Sequence, residues 1–522
     1  MTLRFEAAPA DGLGAAGFEA ARAAQSGRAL PRSSAAALVA PQGTGAAGAG
    51  ATRNRDALVA GQALAVTTGQ QPGLFTGPLY TVYKALTASA LAEVLAERWR
   101  ARVVPVFWVA GDDHDFGEIN HCAVMATDGA VREIVLRQRA ADAPMLPGYR
   151  EPVGADGAAA LAALESALPP SEFRAETLAW LGEAYRPDRS VADAHAAALA
   201  ELLAPLGVVV CRGWDASLKR AAAGVLTEAL RSARALDEAL AQEAARLRDA
   251  GEEVPVAVGE GMTLAMLEGS LGRDRLRIAE SGFATRRAGE RLTLADLEAI
   301  VGSAPERLSA NVLLRPVVEA HLFPTVAYVG GPAELAYLRQ VGPLFTHLAV
   351  PRPVPVPRLS GFLIEAKVEK ALARFGLAPG DVGRPEGELI SSIVRETLPA
   401  DAAGSLAALR AALVERYAAL HGAAVQVERT LARPVETARN QALHAVDEVE
   451  KRLVAALKRS NEDAIGQLSR ARANLFPDGL QQERRLTVAN YLARYGPPLL
   501  PVLREAALKH ARRLLEAPGS GV

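Results

Sequence analysis

The segment Val103–Ala110 constrains this chain more than any other, because it is an unbroken apolar run that ends on Gly111. A run that short has no polar face to give to water. It reads as a strand covered on both sides, the condition met in parallel sheets. Ala63–Thr67 is a second apolar run, ending in a Gly-rich turn, and Pro78–Arg98 behind it repeats apolar residues at helical spacing. The alternation returns downstream. Gly207–Cys211 precedes a helix expected over Ala216–Ala250, and Phe323–Val329 precedes Gly330, Gly331 and a helix to His347. Val354–Arg358 precedes a helix expected over Gly361–Phe375. Strands alternating with helices predict an α/β fold with a doubly wound parallel sheet.

A chain of 522 residues exceeds what one core supports, so it should divide into several units. Residues 1–60 are rich in Ala, Gly and Ser, with Ala35–Ala51 close to low complexity, and read as a loose arm with a short helix near Gly17–Gln25. Residues 61–400 read as the core, interrupted near 130–205 by an Ala-rich helical insertion. A second insertion near 255–310 has short strands at Thr263–Leu267, Arg275–Ile278 and Arg291–Leu294. In 401–475, Leu443, Val446, Val449, Leu453 and Leu457 recur at three- and four-residue steps among charged neighbours, the pattern of a coiled-coil seam. Pro434 marks a start or a kink there. Asn474–Gly479 closes the long helix, and 476–522 reads as shorter helices.

Composition narrows the partners. Lys plus Arg is 58 against 59 for Asp plus Glu, a net charge of −1, which gives no electrostatic case for nucleic acid or an anionic membrane. A small-molecule substrate is expected. Cys122 and Cys211 are too few for a disulfide framework or a zinc site of their own. With no secretory start and no run of roughly 18 apolar residues, the cytoplasm is the expected location.

The chemistry should sit on loops at the carboxyl ends of the strands, next to helix N-termini. The first, Thr67–Pro78, carries Gly69, Gly73 and Gly77, which let backbone approach a ligand, with Thr68, Gln70 and Gln71 as uncharged polar groups. Its glycine spacing is neither a dinucleotide fingerprint nor a Walker motif. Tyr80 and Lys84 follow on the helix, where Lys84 either neutralises a carboxylate or phosphate or is solvated. The second loop, Gly111–His121, sets Asp112, Asp113, His114 and Asp115 side by side, a costly group unless solvated or bound. An Asp there could bind an ammonium, His114 could act as acid or base, and a carboxylate pair could hold Mg²⁺ through water. Zinc is disfavoured, since His114 and His121 are too far apart in sequence. A metal-dependent hydrolase built on Asp112–Asp115 is the competing functional class. A third site, Tyr328–Tyr337, places Glu334 in a first helical turn, where it either caps the helix or faces the loops. Arg315 and Arg358 are candidate carboxylate clamps.

Taken together, Thr67–Lys84, Pro105–His121, Asn311–Pro316, Tyr328–Glu334 and Leu475–Arg484 resemble one family, the cysteine-adding enzymes of bacillithiol synthesis, BshC. The similarity is ordered along the chain over about residues 60–500. Ala310 stands where the family pattern leads us to expect Pro. The resemblance implies a Rossmann-like core with inserted connecting segments, a C-terminal α-helical coiled coil and a homodimer through it. It also implies a ligase that joins cysteine to the amine of glucosaminyl-malate as an amide. An amide from a free carboxylate and an amine is uphill in water, so activation by ATP or another nucleotide is expected, with Mg²⁺ as a candidate companion. Under this reading Thr68–Gln71 hold the substrate or nucleotide anion, and Asp113, His114 and Asp115 are the catalytic candidates. Tyr80, Lys84, Asp112, Asn120, Arg315, Tyr328, Gly330, Gly331, Glu334 and Arg358 complete the expected binding set, with Glu334 orienting an amine.

Overall fold

The computed structural model of the chain describes residues 3–39, 48–396 and 398–517, so part of the low-complexity stretch, residues 40–47, lies outside the described residues. The chain forms two compact units, one of Phe5–Phe362 with Glu483–Val522, the other of Met1–Arg4 with Leu363–Gln482.

The first unit is built on five parallel strands: β1 (Leu64–Gln70), β2 (Val103–Val109), β3 (Val209–Arg212), β4 (Thr325–Gly330) and β5 (Val354–Pro357). Their order is β5-β4-β1-β2-β3. The chain therefore starts at the centre, moves outward through β2 and β3, then returns to the other side of β1. That reversal opens a crevice at the carboxyl ends of β1 and β4, the usual ligand position in such sheets. Every residue of β2 is buried, as its apolar run requires. The helix α1 (Tyr80–Trp99) is buried along most of its length as well.

Several elements differ from the pattern read in the sequence. Strand β1 runs through Gln70, so Thr67, Thr68 and Gly69 belong to the sheet and the turn begins only at Gln71. The helix expected over Ala216–Ala250 is three helices, Ala216–Ala221, Ala223–Arg231 and Ala233–Asp249. The one expected to His347 breaks before Gly342-Pro343 into α2 (Pro332–Gln340) and Gly342–His347, since proline cannot continue the hydrogen-bond ladder. Gly361–Glu365 is a strand, and the helix begins only at Ala366. The described residues among the first sixty are not a loose arm. They form helices Ala15–Ala24 and Ala49–Val59 and bury Phe18, Leu30 and Leu58. Gln25 donates to Thr325 O at 2.8 Å, and Arg28 donates to the carbonyls of Ala320 and His321. Small side chains, read as a sign of disorder, here allow close packing.

The first insertion begins with a hairpin, His121–Met125 against Val131–Val135, and continues as helices Asp156–Ala167, Arg174–Ala184 and Val191–Leu203. The second is an antiparallel sheet in which Met262–Gly269 pairs with Gly272–Ala279 on one side and with Leu308–Ala310 on the other. Leu294 opens a helix rather than closing a strand, because Thr293 and Asp296 form a reciprocal cap. The last helices, Ala489–Tyr495 and Leu499–Leu514, belong to this sheet-bearing unit.

The second unit is helical. Its long hairpin, Ala400–Val427 and Ala432–Ser460, is tied by Arg410, which donates to Asp447 at 2.6 Å and also to Glu450. Pro434 sits in the first turn of the second helix, where no ladder bond is lost. The expected seam is split: Val446 is buried, whereas Val449 and Leu453 are exposed, as are Leu409, Val414 and Leu420 on the partner helix. Among the described residues no helix is long and apolar enough to cross a membrane.

Candidate functional site

The crevice holds a cavity of about 360 Å³ with two dissimilar walls. The first grows from β1, the turn after it, α1 and β4. The turn is a strained one: Phe75 and Thr76 adopt φ of 47° and 74°, uncommon for residues with a Cβ, and Gly77 follows at 67°. Side chains from elsewhere hold it. Tyr185 Oη donates to Gly73 O at 2.6 Å and accepts from Thr76 N at 3.0 Å, and Thr487 Oγ1 donates to Phe75 O at 2.7 Å. Gly73 N–H donates to Nδ1 of the fully buried His195 at 3.1 Å, and burial drops that imidazole to about 4. Gly69 is required as glycine, since a Cβ there would lie 2.9 Å from Trp108 O.

On this wall the cations are paired with carboxylates of the same wall. Lys84 Nζ donates to Gly69 O at 2.9 Å and to Gln70 Oε1 at 2.7 Å, and pairs with Glu334. An ammonium has three donors, so Lys84 has none left. Glu334, in the first turn of α2, also accepts from Gly331 N at 2.8 Å and from Tyr328 Oη at 2.9 Å. Burial would raise its carboxyl, but Lys84, the Gly331 N–H and Arg315 outweigh burial and hold it below the usual value. Arg315 donates to Glu319 at 2.9 Å, Tyr328 Oη at 2.8 Å and Tyr337 Oη at 3.1 Å. Burial pushes Glu319 up to about 7 in spite of that arginine. Arg358 pairs with Glu483 at 2.6 Å and lies over the Tyr80 ring at 5.4 Å.

The second wall comes from the end of β2 and the antiparallel insertion. Lys219 Nζ donates to Asp112 Oδ2 at 2.6 Å and to Leu308 O at 3.3 Å. Arg273 donates to Ser309 Oγ at 3.0 Å and to Ala310 O at 2.8 Å, and its Nη1 lies 3.2 Å from His114 Nδ1. Arginine has no acceptor, so His114 must accept through Nδ1 and is neutral in this contact. Burial and Arg273 hold its pKa below the ordinary histidine value, which agrees. Two glycines seat tryptophans beneath this wall. A Cβ on Gly111 would lie 2.3 Å from Trp214, and one on Gly213 would lie 2.4 Å from Trp108.

The structure brings most of the expected residues to one place. Gly69, Gln70, Gln71, Tyr80, Lys84, Asp112, Asp113, Arg315, Gly331, Glu334 and Arg358 all line the cavity. The rest stand off the wall. Thr68 is buried in β1 with its hydroxyl on Val329 O, and Asn120 is buried with its amide on Arg137 O. Tyr328 stands behind the wall, linking Arg315 to Glu334, and Gly330 supports the backbone where Glu334 approaches. His114 turns to Arg273 rather than into the cavity. Asp115 is exposed at the start of the short helix Phe116–Ile119. The acid cluster therefore does not act as one group: Asp112 is bound to Lys219, and Asp113 Oδ1 accepts from Asp115 N at 3.1 Å. Among the described residues no group of three or more His, Cys, Asp or Glu is placed to hold a metal ion.

Sequence reasoning missed Lys219 and Arg273, and did not single out Trp108, Tyr337 and Arg484 within the third site and the family segments, although all five line the cavity. Lys219 had a weak signal, being a charge beside Leu218 on a short helix. Arg273 is one of three arginines at alternate positions of its strand, with Arg275 and Arg277, and the pattern does not single it out.

The chain is similar along most of its length to proteins of one family. The family model described as "Bacillithiol biosynthesis BshC, N-terminal Rossmann-like domain" matches residues 17–359. The BshC "C-terminal coiled-coil domain" matches 361–514. A protein of Salinibacter ruber named "Putative cysteine ligase BshC" is 34% identical over 452 residues, covering 85% of this chain and 80% of its own. Proteins of the same name from Prosthecochloris aestuarii and Chlorobaculum tepidum are 29% and 30% identical, each covering 86% of this chain and 81% of their own.

Proposed function

The chain belongs to the BshC family of bacillithiol biosynthesis, and from that premise we propose that it is a cysteine ligase, joining the cysteine carboxylate to the amine of glucosaminyl-malate as an amide. The observation that carries the reading is the meeting of Gly69–Gln71, Asp112–Asp113, Arg315 and Glu334 around one cavity at the switch point of the sheet. Glu334 is the group that would orient an amine. A carboxylate has about four acceptor positions, and Lys84, Gly331 N–H and Tyr328 Oη take three, leaving one toward the cavity. Asp113, whose Oδ2 no described residue takes, would meet an ammonium or Mg²⁺.

A nucleotide, ATP or another, supplies the activation that makes the cysteine carboxylate reactive toward an amine. The Gly69–Gln71 backbone and Arg484 fit its anionic part. Arg484 lines the cavity, and no ion pair or hydrogen bond engages it among the described residues. The exposed Val449 and Leu453 on one long helix, and Leu409, Val414 and Leu420 on the other, support a homodimer through the helical hairpin.

The test is direct. The protein is incubated with cysteine, glucosaminyl-malate and each nucleoside triphosphate in turn, and the amide is followed by mass spectrometry. The expected result is an amide product that needs one triphosphate. No product with any of them overturns the reading.

A further inference from the structure

We propose that Arg273 and Lys219 form an oxyanion-binding subsite on the second wall of the cavity, taking a carboxylate or phosphate group, and that His114 is the residue that positions Arg273. Both cations are anchored on one short strand, Leu308–Ala310. Lys219 holds the carbonyl of Leu308, while Arg273 holds the hydroxyl of Ser309 and the carbonyl of Ala310. They are thereby fixed side by side on a rigid edge, and both line the cavity.

Donor accounting shows what they lack. A guanidinium has five N–H donors, and Ser309, Ala310 and His114 engage three of those on Arg273. Two stay open on a residue that lines the cavity. Lys219 has three donors, of which Asp112 and Leu308 take two. Among the described residues no carboxylate stands within salt-bridge distance of Arg273, and Asp112 and Asp113 act on it only through space. A half-buried guanidinium with one neutral acceptor on each nitrogen and two N–H donors free is an arrangement that binds an oxyanion through paired hydrogen bonds. His114 explains the aim of the fork. Its neutral Nδ1 takes a donor on Nη1, so the imidazole fixes the plane of the guanidinium without touching the ligand.

The proposal deepens the ligase reading and rests on it for the source of the anion, which is either the malyl carboxylates of the acceptor or the phosphates of the nucleotide. The test needs no turnover. Malate, inorganic phosphate and pyrophosphate are titrated separately into the intact protein by calorimetry. Binding of malate alone assigns the subsite to the acceptor, and binding of phosphate or pyrophosphate alone assigns it to the nucleotide. In either case Arg273→Met should weaken binding at least about tenfold, and Arg273→Lys should restore part of it. His114→Gln, which keeps an acceptor, should bind within about twofold of the parent, while His114→Phe should approach Arg273→Met. Thermal melts of each variant establish that it is folded. Equal affinity in the parent and in folded Arg273→Met, or no binding of any of the three anions to the parent, overturns the proposal. Anion binding lost in Arg273→Met with no amide product from the parent would leave the subsite standing and the ligase reading refuted. Amide formation with an unchanged KM for glucosaminyl-malate and for the nucleotide in Arg273→Met would do the reverse.

Discussion

The two walls of the cavity are built from similar residues and differ in what meets their cations. On the wall of β1, α1 and β4, Lys84 spends all three donors on Gly69, Gln70 and Glu334, and Arg315 is held by Glu319, Tyr328 and Tyr337. On the opposite wall, Arg273 and Lys219 are anchored on one side and open on the other. A buried cation met by a carboxylate of its own wall, as Lys84 and Arg315 are, rigidifies its surroundings, whereas an anchored guanidinium with neutral partners and free donors, as on Arg273, is prepared for a ligand. The first wall is therefore the frame that shapes the site, and the second is the wall that receives charge.

The largest effect should come from breaking the frame. Lys84→Met leaves the half-buried Glu334 without its cation and strands the Gly69 carbonyl and the Gln70 amide. Removing one partner of a buried ion pair costs about 3–5 kcal/mol, so a midpoint loss of that size in urea is expected. A loss below about 1 kcal/mol would mean that the wall is not interlocked in this way.

The second effect acts through the strained turn. His195 sits at about 4, below an ordinary histidine near 6.5, so the unfolded chain binds its proton more readily than the folded one. The contribution is present in full above pH 6.5 and is lost as pH falls from there toward 4. That difference corresponds to about 3 kcal/mol. His114, His321 and His510 are also pushed down by burial and add to the slope in the same direction. Urea titrations from pH 7.5 to 4.5 should show the decline, and His195→Gln should flatten it. An equally steep decline in that variant would place the acid sensitivity elsewhere.

The third effect tests the floor of the receiving wall. Gly111→Ala sets a methyl 2.3 Å from the Trp214 ring, which is itself stacked on Tyr149 at 6.4 Å. Overpacking of this kind costs about 1–3 kcal/mol, and the tryptophan emission should shift as the ring moves. An unshifted spectrum with parental stability would show that the floor can yield.

These walls were unequally legible. The frame could be read because its residues flank the apolar runs that become β1, β2 and β4, and because glycine at strand ends has a definite physical meaning. Gly69 is an instance, with Trp108 O too near for any Cβ. The receiving wall could not be read, since Arg273 and Lys219 lie far apart in the chain and meet only because the insertion lays Leu308–Ala310 beside Met262–Gly269. His114 was prominent in the sequence for the right reason, a polar residue that needs a partner. Its partner is Arg273, about 160 residues away, a contact that the neighbouring residues Asp113 and Asp115 give no sign of in the sequence. The loose arm expected over residues 1–60 does not hold for the described residues 3–39 and 48–60, because Ala and Gly content reports side-chain size and not whether Phe18 and Leu30 find a surface to cover.

The smallest effect separates the two kinds of cation in the cavity. Arg484 is exposed at its edge, so Arg484→Gln should change stability by no more than about 0.5 kcal/mol. Its charge can still attract an anion through water, which at low salt should be worth about a two- to threefold gain in affinity for pyrophosphate. Raising ionic strength from about 0.01 M to 0.5 M shortens the screening length from about 30 Å to under 5 Å, so that gain should vanish. The contribution of Arg273 comes from direct hydrogen bonds in a half-buried position and should largely survive the same change. Affinities of the parent, Arg484→Gln and Arg273→Met measured at both salt concentrations give the comparison. If the loss in Arg484→Gln persists at high salt, that residue touches the ligand, and the receiving wall extends further round the cavity than Arg273 and Lys219.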